Sequence, residues 1–65
     1  MAQGYYKIVC DILLALGYEY LTNAKGSHEK WQSHTTGKMV LVPRNLKSRH
    51  TANAILKTAG SDRKL

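Results

Sequence analysis

The sequence is short of several residue types, and each shortage excludes a class of protein. Its 65 residues include one cysteine, Cys10, so no disulfide can form within the chain and a reducing compartment is expected. No apolar run approaches the length of a membrane span. The first residues lack the basic segment of a signal peptide, and Lys7 and Asp11 interrupt the apolar run that follows. We therefore expect a cytoplasmic protein, with Cys10 in a helix, packed or semi-exposed and not reactive.

The patterns of most cofactor and metal enzymes are missing as well. No glycine-rich nucleotide loop is present, and neither Ser27 nor Cys10 has the partners of a catalytic triad. The three histidines and the cysteine do not follow the spacing of metal ligands. His28 and His34 would lie about 20 Å apart on one strand. We expect no metal and no small-molecule cofactor.

Acidic residues are scarce, and the scarcity is uneven along the chain. Ten lysines and arginines face four aspartates and glutamates, for a net charge of +6 and a pI near 9.8. Residues 1–24 hold one basic and two acidic residues (−1), and residues 25–65 hold nine and two (+7). This distribution favours a polyanionic partner, most often nucleic acid. A membrane surface is not favoured, because neither helical segment pairs a basic face with large exposed apolar groups. An acidic protein partner stays open.

The length allows one domain, residues 1–65, and apolar spacing predicts its first element. A helix is expected from Gly4 to Leu16, ended by Gly17. Its apolar face follows the i, i+3, i+4, i+7 template with Tyr5, Ile8, Val9, Ile12, Leu13 and Leu16.

The rest of the chain predicts three strands and a second helix. The strands are "YEYLTNA", "HEKWQSH" and "KMVLVP", the last two joined by a hairpin over residues 35–37. Ser48 is placed to cap a helix that ends at Gly60, and residues 61–65 are expected to fray. The fold class is therefore α+β, in the order α-β-β-β-α, with both helices on one face of a three-stranded antiparallel sheet.

Alternation in the second strand predicts which side chains face the helices. Trp31 is its one large apolar residue, so its side should face the helices as part of the core. His28 and His34 then face solvent. No motif assigns chemistry to His34 or His50, and a structural or solvated role is expected for both.

Four motifs follow one another along nearly the whole chain: "LGY", "KGSH", "VLVP" and "TANAILKTAG". In this order and at these spacings they resemble the HicA toxins of prokaryotic toxin–antitoxin pairs. The resemblance implies a fold similar to a double-stranded-RNA-binding domain, endoribonuclease activity on mRNA, and neutralisation by a cognate HicB-like antitoxin. In that family the histidine of the "GSH" motif is catalytic, and the matching residue here is His28. Many relatives carry another histidine after "VP", where this chain has Arg44 and Asn45. If that histidine contacts RNA in relatives, Arg44 or His50 replaces it here, or the contact is missing.

RNA carries its own nucleophile, which suits a protein too small for a deep cleft. Removal of the 2′-hydroxyl proton lets that oxygen attack the adjacent phosphorus, and a histidine can act as the base or as the acid for the leaving oxygen. Cations nearby would stabilise the charge that develops at phosphorus. We expect His28 to be catalytic and the RNA contacts to come from Lys25, Gly26, Ser27, Lys30, Lys38, Arg44, Lys47 and Arg49.

Two other functions fit the same sequence. A non-catalytic RNA-binding module would use the same fold and charges, with His28 touching only a phosphate or a 2′-hydroxyl. A small interaction protein would use its positive surface to dock an acidic partner.

Overall fold

The computed structural model describes residues 4–65 and has two helices and three strands. Helix α1 spans Tyr6–Ala15 and helix α2 spans Arg49–Ala59. Strands β1 (Tyr18–Asn23), β2 (His28–Ser33) and β3 (Met39–Pro43) lie between them and form one antiparallel sheet in the order β1-β2-β3. The predicted α+β order α-β-β-β-α is confirmed.

Strand β2 is the centre of the sheet, and its alternation decides what the helices cover. Glu29, Trp31 and Ser33 are buried, whereas His28 is exposed and Lys30 is only half-buried. Trp31 pairs with Tyr20 on β1 and with Val40 on β3. Trp31 is therefore a core residue, as predicted, and His28 faces solvent on the outer side of the sheet.

The two helices close the core over the inner face of the sheet. Apolar positions on α2 meet those of α1 and of β3, because the spacing of Ala52, Ile55, Leu56 and Ala59 places all four on one helical face. Leu13, Leu56, Val9 and Val42 have no measurable exposure. Burial of each such side chain contributes about 2 kcal/mol to stability.

The buried face of α1 differs from the predicted one. Val9, Ile12 and Leu13 are buried as expected, but Ile8 is 41% exposed and Leu16 is 37% exposed. Cys10 is buried in their place. The helix is turned so that the side of Tyr6 and Cys10 faces inward, because the Tyr6 hydroxyl bonds to a buried group of β2. The spacing of apolar residues does not predict a polar contact of this kind.

Both ends of α2 follow the predicted signals, but the tail after it does not. The Ser48 hydroxyl accepts a hydrogen bond from the Thr51 N–H at 3.2 Å, and Gly60 ends the helix. Residues 61–65 were expected to fray, whereas Leu65 packs against the core. Its N–H donates to the Asn53 side chain at 2.8 Å, which holds the tail against α2.

Backbone contact joins the start of α1 to the connector, residues 44–47, between β3 and α2. The Tyr5 N–H donates to the Leu46 carbonyl at 2.7 Å. A Cβ on Gly4 would lie 2.6 Å from the same oxygen, so a residue with a side chain does not fit there without movement. Gly4 therefore permits the close approach of these two segments. Within residues 4–65, no helix has the length and apolar character needed to cross a membrane.

Candidate nucleic-acid interface

The "KGSH" segment forms a tight turn between β1 and β2. Gly26 has a φ of 62°, in the left-handed region that favours glycine. The His28 N–H donates to the Lys25 carbonyl at 3.1 Å, and the Ala24 N–H donates to the His28 carbonyl at 2.8 Å. A Cβ on Gly26 would meet nothing within 4 Å, so the turn requires glycine for its φ and not for space. The backbone of His28 is fixed by these bonds.

The His28 side chain is free at the start of β2. It is exposed on the outer face of the sheet, and no hydrogen bond to its imidazole is formed within residues 4–65. Lys30 shares this face two residues further along the strand. An exposed imidazole beside an ammonium group is a geometry in which a phosphodiester can approach from solvent.

The connector lies against the "KGSH" turn. Pro43 is the strand partner of His28, and the Arg44 N–H donates to the Ser27 carbonyl at 2.9 Å. Arg44 follows the buried Val42 by two residues, so its side chain lies on the same side of the sheet, the side that the helices cover. Arg44 and His28 therefore stand at one end of the sheet, on opposite faces of it.

A buried carboxylate lies next to His28 in sequence. Glu29 Oε1 accepts from the Tyr6 hydroxyl at 2.8 Å and from Trp31 Nε1 at 3.0 Å. Glu29 Oε2 lies 3.6 Å from Arg44 Nε. The Glu29 side chain is 8% exposed, whereas that of Arg44 is 64% exposed. The carboxylate thus has two hydrogen bonds on Oε1 and an ion pair at Oε2, and most of the guanidinium remains in solvent.

This arrangement changes the titration of two neighbouring groups. Burial, together with the hydrogen bond to Glu29, raises the pKa of the Tyr6 hydroxyl well above its ordinary value. Burial also raises the pKa of the Cys10 thiol. Of the two placements expected for Cys10, the structure has the packed one, and its environment does not favour the thiolate.

The predicted RNA-contacting residues do not all lie together. Lys25, Gly26 and Ser27 form the turn before His28, and Lys30 follows it on the same strand. Arg44 and Lys47 belong to the connector, and Arg49 begins α2. Lys38 is separate. It precedes β3 at the opposite end of the sheet, where its carbonyl accepts from Ser33 N–H and its ammonium donates to the Thr58 carbonyl at 3.3 Å.

The other two histidines occupy different ends of the molecule. His34 lies at the far hairpin, with Nε2 3.1 Å from Glu19 Oε1 in an exposed pair. His50 is exposed in the first turn of α2, beside the connector and at the same end as His28. A structural reading suits His34, while His50 is placed where an RNA contact is feasible.

Three residues of this region were not predicted from the sequence. Tyr6 and Lys7 reach it from the first turn of α1, and Glu29 lies under it. Alternation in β2 predicted an inward side for Trp31, and Glu29 shares that side. A lone carboxylate on a core face is a signal that it has polar partners. Nothing in the spacing indicated which ones. Within residues 4–65, no three His, Cys, Asp or Glu side chains are grouped to hold a metal ion.

Comparisons with protein-family models, with curated proteins and with solved structures gave no match to this chain. The chemistry of the residues around His28 is therefore the basis for assigning a function.

Proposed function

We propose that this chain is a HicA-like toxin of a type II toxin–antitoxin system. It acts in the cytoplasm as an endoribonuclease on mRNA, without a metal ion, and a HicB-like antitoxin inhibits it. The observation that carries the proposal is the exposed His28 imidazole on a fixed backbone, with Lys30 on its face and Arg44 at its end of the sheet.

The chemistry needs one titratable group and a cation, because the substrate supplies the nucleophile. His28 takes the proton of the 2′-hydroxyl, or gives one to the leaving oxygen. As the 2′-oxygen bonds to phosphorus, the bond from phosphorus to the 5′-oxygen breaks. The products are a 2′,3′-cyclic phosphate and a 5′-hydroxyl. Lys30 stabilises the charge that develops on the phosphoryl oxygens.

The antitoxin in this proposal comes from the resemblance to HicA toxins. The exposed His28 imidazole is compatible with it, because a separate protein could cover the turn and silence the activity. We expect that partner to be acidic where it meets the turn and the connector, since these segments are basic.

One observation favours a second candidate, a non-catalytic RNA-binding module. No side chain among residues 4–65 hydrogen-bonds to the His28 imidazole, whereas catalytic histidines are commonly oriented by a third group. In this alternative His28 touches a phosphate or a 2′-hydroxyl and performs no proton transfer.

The two candidates are separated by the products formed from a long single-stranded RNA in EDTA. The toxin proposal expects fragments that end in 2′,3′-cyclic phosphate, and expects a DNA copy of the same sequence to stay intact. Salt-dependent RNA binding without any cleavage, including on translating ribosomes, would favour the binding module. Indifference to RNA would leave a protein that docks an acidic partner.

A further inference from the structure

A hollow on the helix side of the "KGSH" turn is lined by the first turn of α1 and by the connector. Gly4, Tyr6 and Lys7 form one wall, and residues 44–47 form the other. We call it the connector hollow. Three of its lining side chains are cationic, those of Lys7, Arg44 and Lys47, and none is acidic. A concave surface with this charge is suited to an anion.

The walls of the connector hollow are held together by the backbone. The Tyr5 N–H bonds to the Leu46 carbonyl at 2.7 Å, at a point where only glycine fits in position 4. The Arg44 N–H bonds to the Ser27 carbonyl, which links the hollow directly to the turn before His28. The hollow is therefore formed before any ligand arrives, and it adjoins the proposed catalytic turn.

Buried Glu29 lies against one cation of the connector hollow, Arg44. Its Oε1 is occupied by Tyr6 and Trp31, which leaves Oε2 facing Arg44 Nε at 3.6 Å. A contact through Nε leaves the two terminal nitrogens of the guanidinium available, and these form the planar fork that matches a phosphate. The Arg44 side chain is mostly exposed, so this fork is accessible.

From these contacts we infer that the connector hollow is a second phosphate subsite for the RNA backbone, with Arg44 as the contact and Glu29 as a positioning residue. The inference rests on the proposed function, because RNA is the ligand. An RNA strand would pass from His28 on the outer face, around the turn, to Arg44 on the helix side. Lys7, which also pairs with Asp11 at 3.1 Å, and Lys47 would add charge at the rim.

The alternative is that Arg44 only neutralises Glu29. The two hypotheses predict opposite changes in RNA affinity for Glu29→Gln. Glu29→Gln raises the net charge by one. If overall charge alone matters, this variant binds RNA more tightly. If Glu29 holds Arg44 in place for a phosphate, the same variant binds RNA more weakly despite its higher charge.

The test measures binding of a short single-stranded RNA by the His28→Ala protein, which cannot cleave it if the proposed function holds. Arg44→Ala, Arg44→Lys and Glu29→Gln are added to this background. Lys57→Ala is the matched control for Arg44→Ala, because it also removes one positive charge, at the far end of α2. Affinity is recorded over a range of salt concentrations, and thermal unfolding followed by circular dichroism checks the fold of each variant.

We expect Arg44→Ala to make the plot of log affinity against log salt less steep by about 0.7, because one phosphate contact on a single strand is lost. At 0.1 M salt this corresponds to an affinity about fivefold lower. Arg44→Lys should lose a part of this, because it keeps the charge without the fork. Lys57→Ala should change little. Glu29→Gln should weaken binding, and should do so only while Arg44 is present.

Three results would overturn these claims, each in a different way. An Arg44→Ala protein that binds like Lys57→Ala removes the subsite and leaves the proposed function intact. Tighter binding by Glu29→Gln removes the positioning role. If Glu29→Gln does not fold, Arg44→Ala and Arg44→Lys still test the subsite. Absence of salt-dependent RNA binding in the His28→Ala protein itself would contradict the proposed function, and the subsite with it.

Discussion

At the scale of single residues, Glu29 is the side chain whose burial needs the most support. A carboxylate removed from water destabilises the fold unless its oxygens are hydrogen-bonded. Tyr6 and Trp31 donate hydrogen bonds to Glu29, and Arg44 adds an ion pair from the connector. The fold and the candidate site are therefore coupled through one carboxylate, since the group that holds Arg44 is also part of the core.

The Tyr6 hydroxyl, which bonds to Glu29, makes the stability of the fold depend on pH. Its pKa is raised from an ordinary value of 10.0, by burial first and by the hydrogen bond to Glu29 second. The folded chain thus keeps the phenol proton at pH values at which the unfolded chain has lost it. This contribution to stability is complete below about pH 10 and declines as the pH rises above that value.

We expect Tyr6→Phe to lower the free energy of unfolding at neutral pH by about 1.5 kcal/mol, because a hydrogen bond to a buried carboxylate is lost. Above about pH 10 the difference from the parent protein should shrink, since the variant has no phenol to titrate. Urea unfolding at several pH values measures both effects. Tyr20→Phe, which removes an exposed hydroxyl bonded to Asn23, is the control. A difference that stays constant to the highest pH would contradict the role of the Tyr6 proton.

At the scale of elements, the turn between β1 and β2 sets the direction in which His28 leaves the sheet. Its conformation depends on Gly26, whose φ of 62° is strained for a residue with a Cβ. Open space surrounds this position, so the requirement concerns the backbone alone.

We expect Gly26→Ala to lower the free energy of unfolding by about 1 kcal/mol, and Gly26→Asn by about half as much, because asparagine tolerates the left-handed region better than alanine. Thermal unfolding of the two variants tests this. An asparagine variant as unstable as the alanine variant would show that size at this position matters, and the account of the turn would be wrong.

Element boundaries show how far the sequence predicts this fold. Helix ends are local signals, so Gly17, Ser48 and Gly60 located them, and alternation in β2 located Trp31. Contacts between distant segments carry no such signal. The rotation of α1 toward Tyr6 depends on a residue 23 positions away, and the return of Leu65 onto Asn53 spans 12 positions. Neither follows from periodicity.

The candidate site was predictable to a similar extent. The residues of the turn and the connector were named from motifs and charge, and the structure brings them to one end of the sheet. Lys38 was grouped with them by charge, but strand length carries it to the other end. Lys7 was not predicted to contact RNA, because its segment is net acidic and only the packing of α1 beside the connector brings it near. Charge counted along a chain does not report position in space.

At the scale of the whole molecule, the fold is a small scaffold with an excess of basic residues and one exposed imidazole on a fixed turn. A chain of this size does not enclose a substrate. The proposed mechanism therefore takes the nucleophile from the RNA, and the proton transfer and the charge from the protein surface. The HicA-like proposal is the function that uses all of these features. Its central claim is that His28 moves the proton.

The most direct test is the single-turnover rate of cleavage of one defined RNA, in EDTA, by the parent protein, His28→Ala and His34→Ala. Loss of a general acid or base slows such a step by about 10² to 10⁴. We expect that loss for His28→Ala, and a rate within about twofold of the parent for His34→Ala, whose imidazole lies at the far hairpin beside Glu19. Equal rates for the parent and His28→Ala, with both folds intact, would contradict the account.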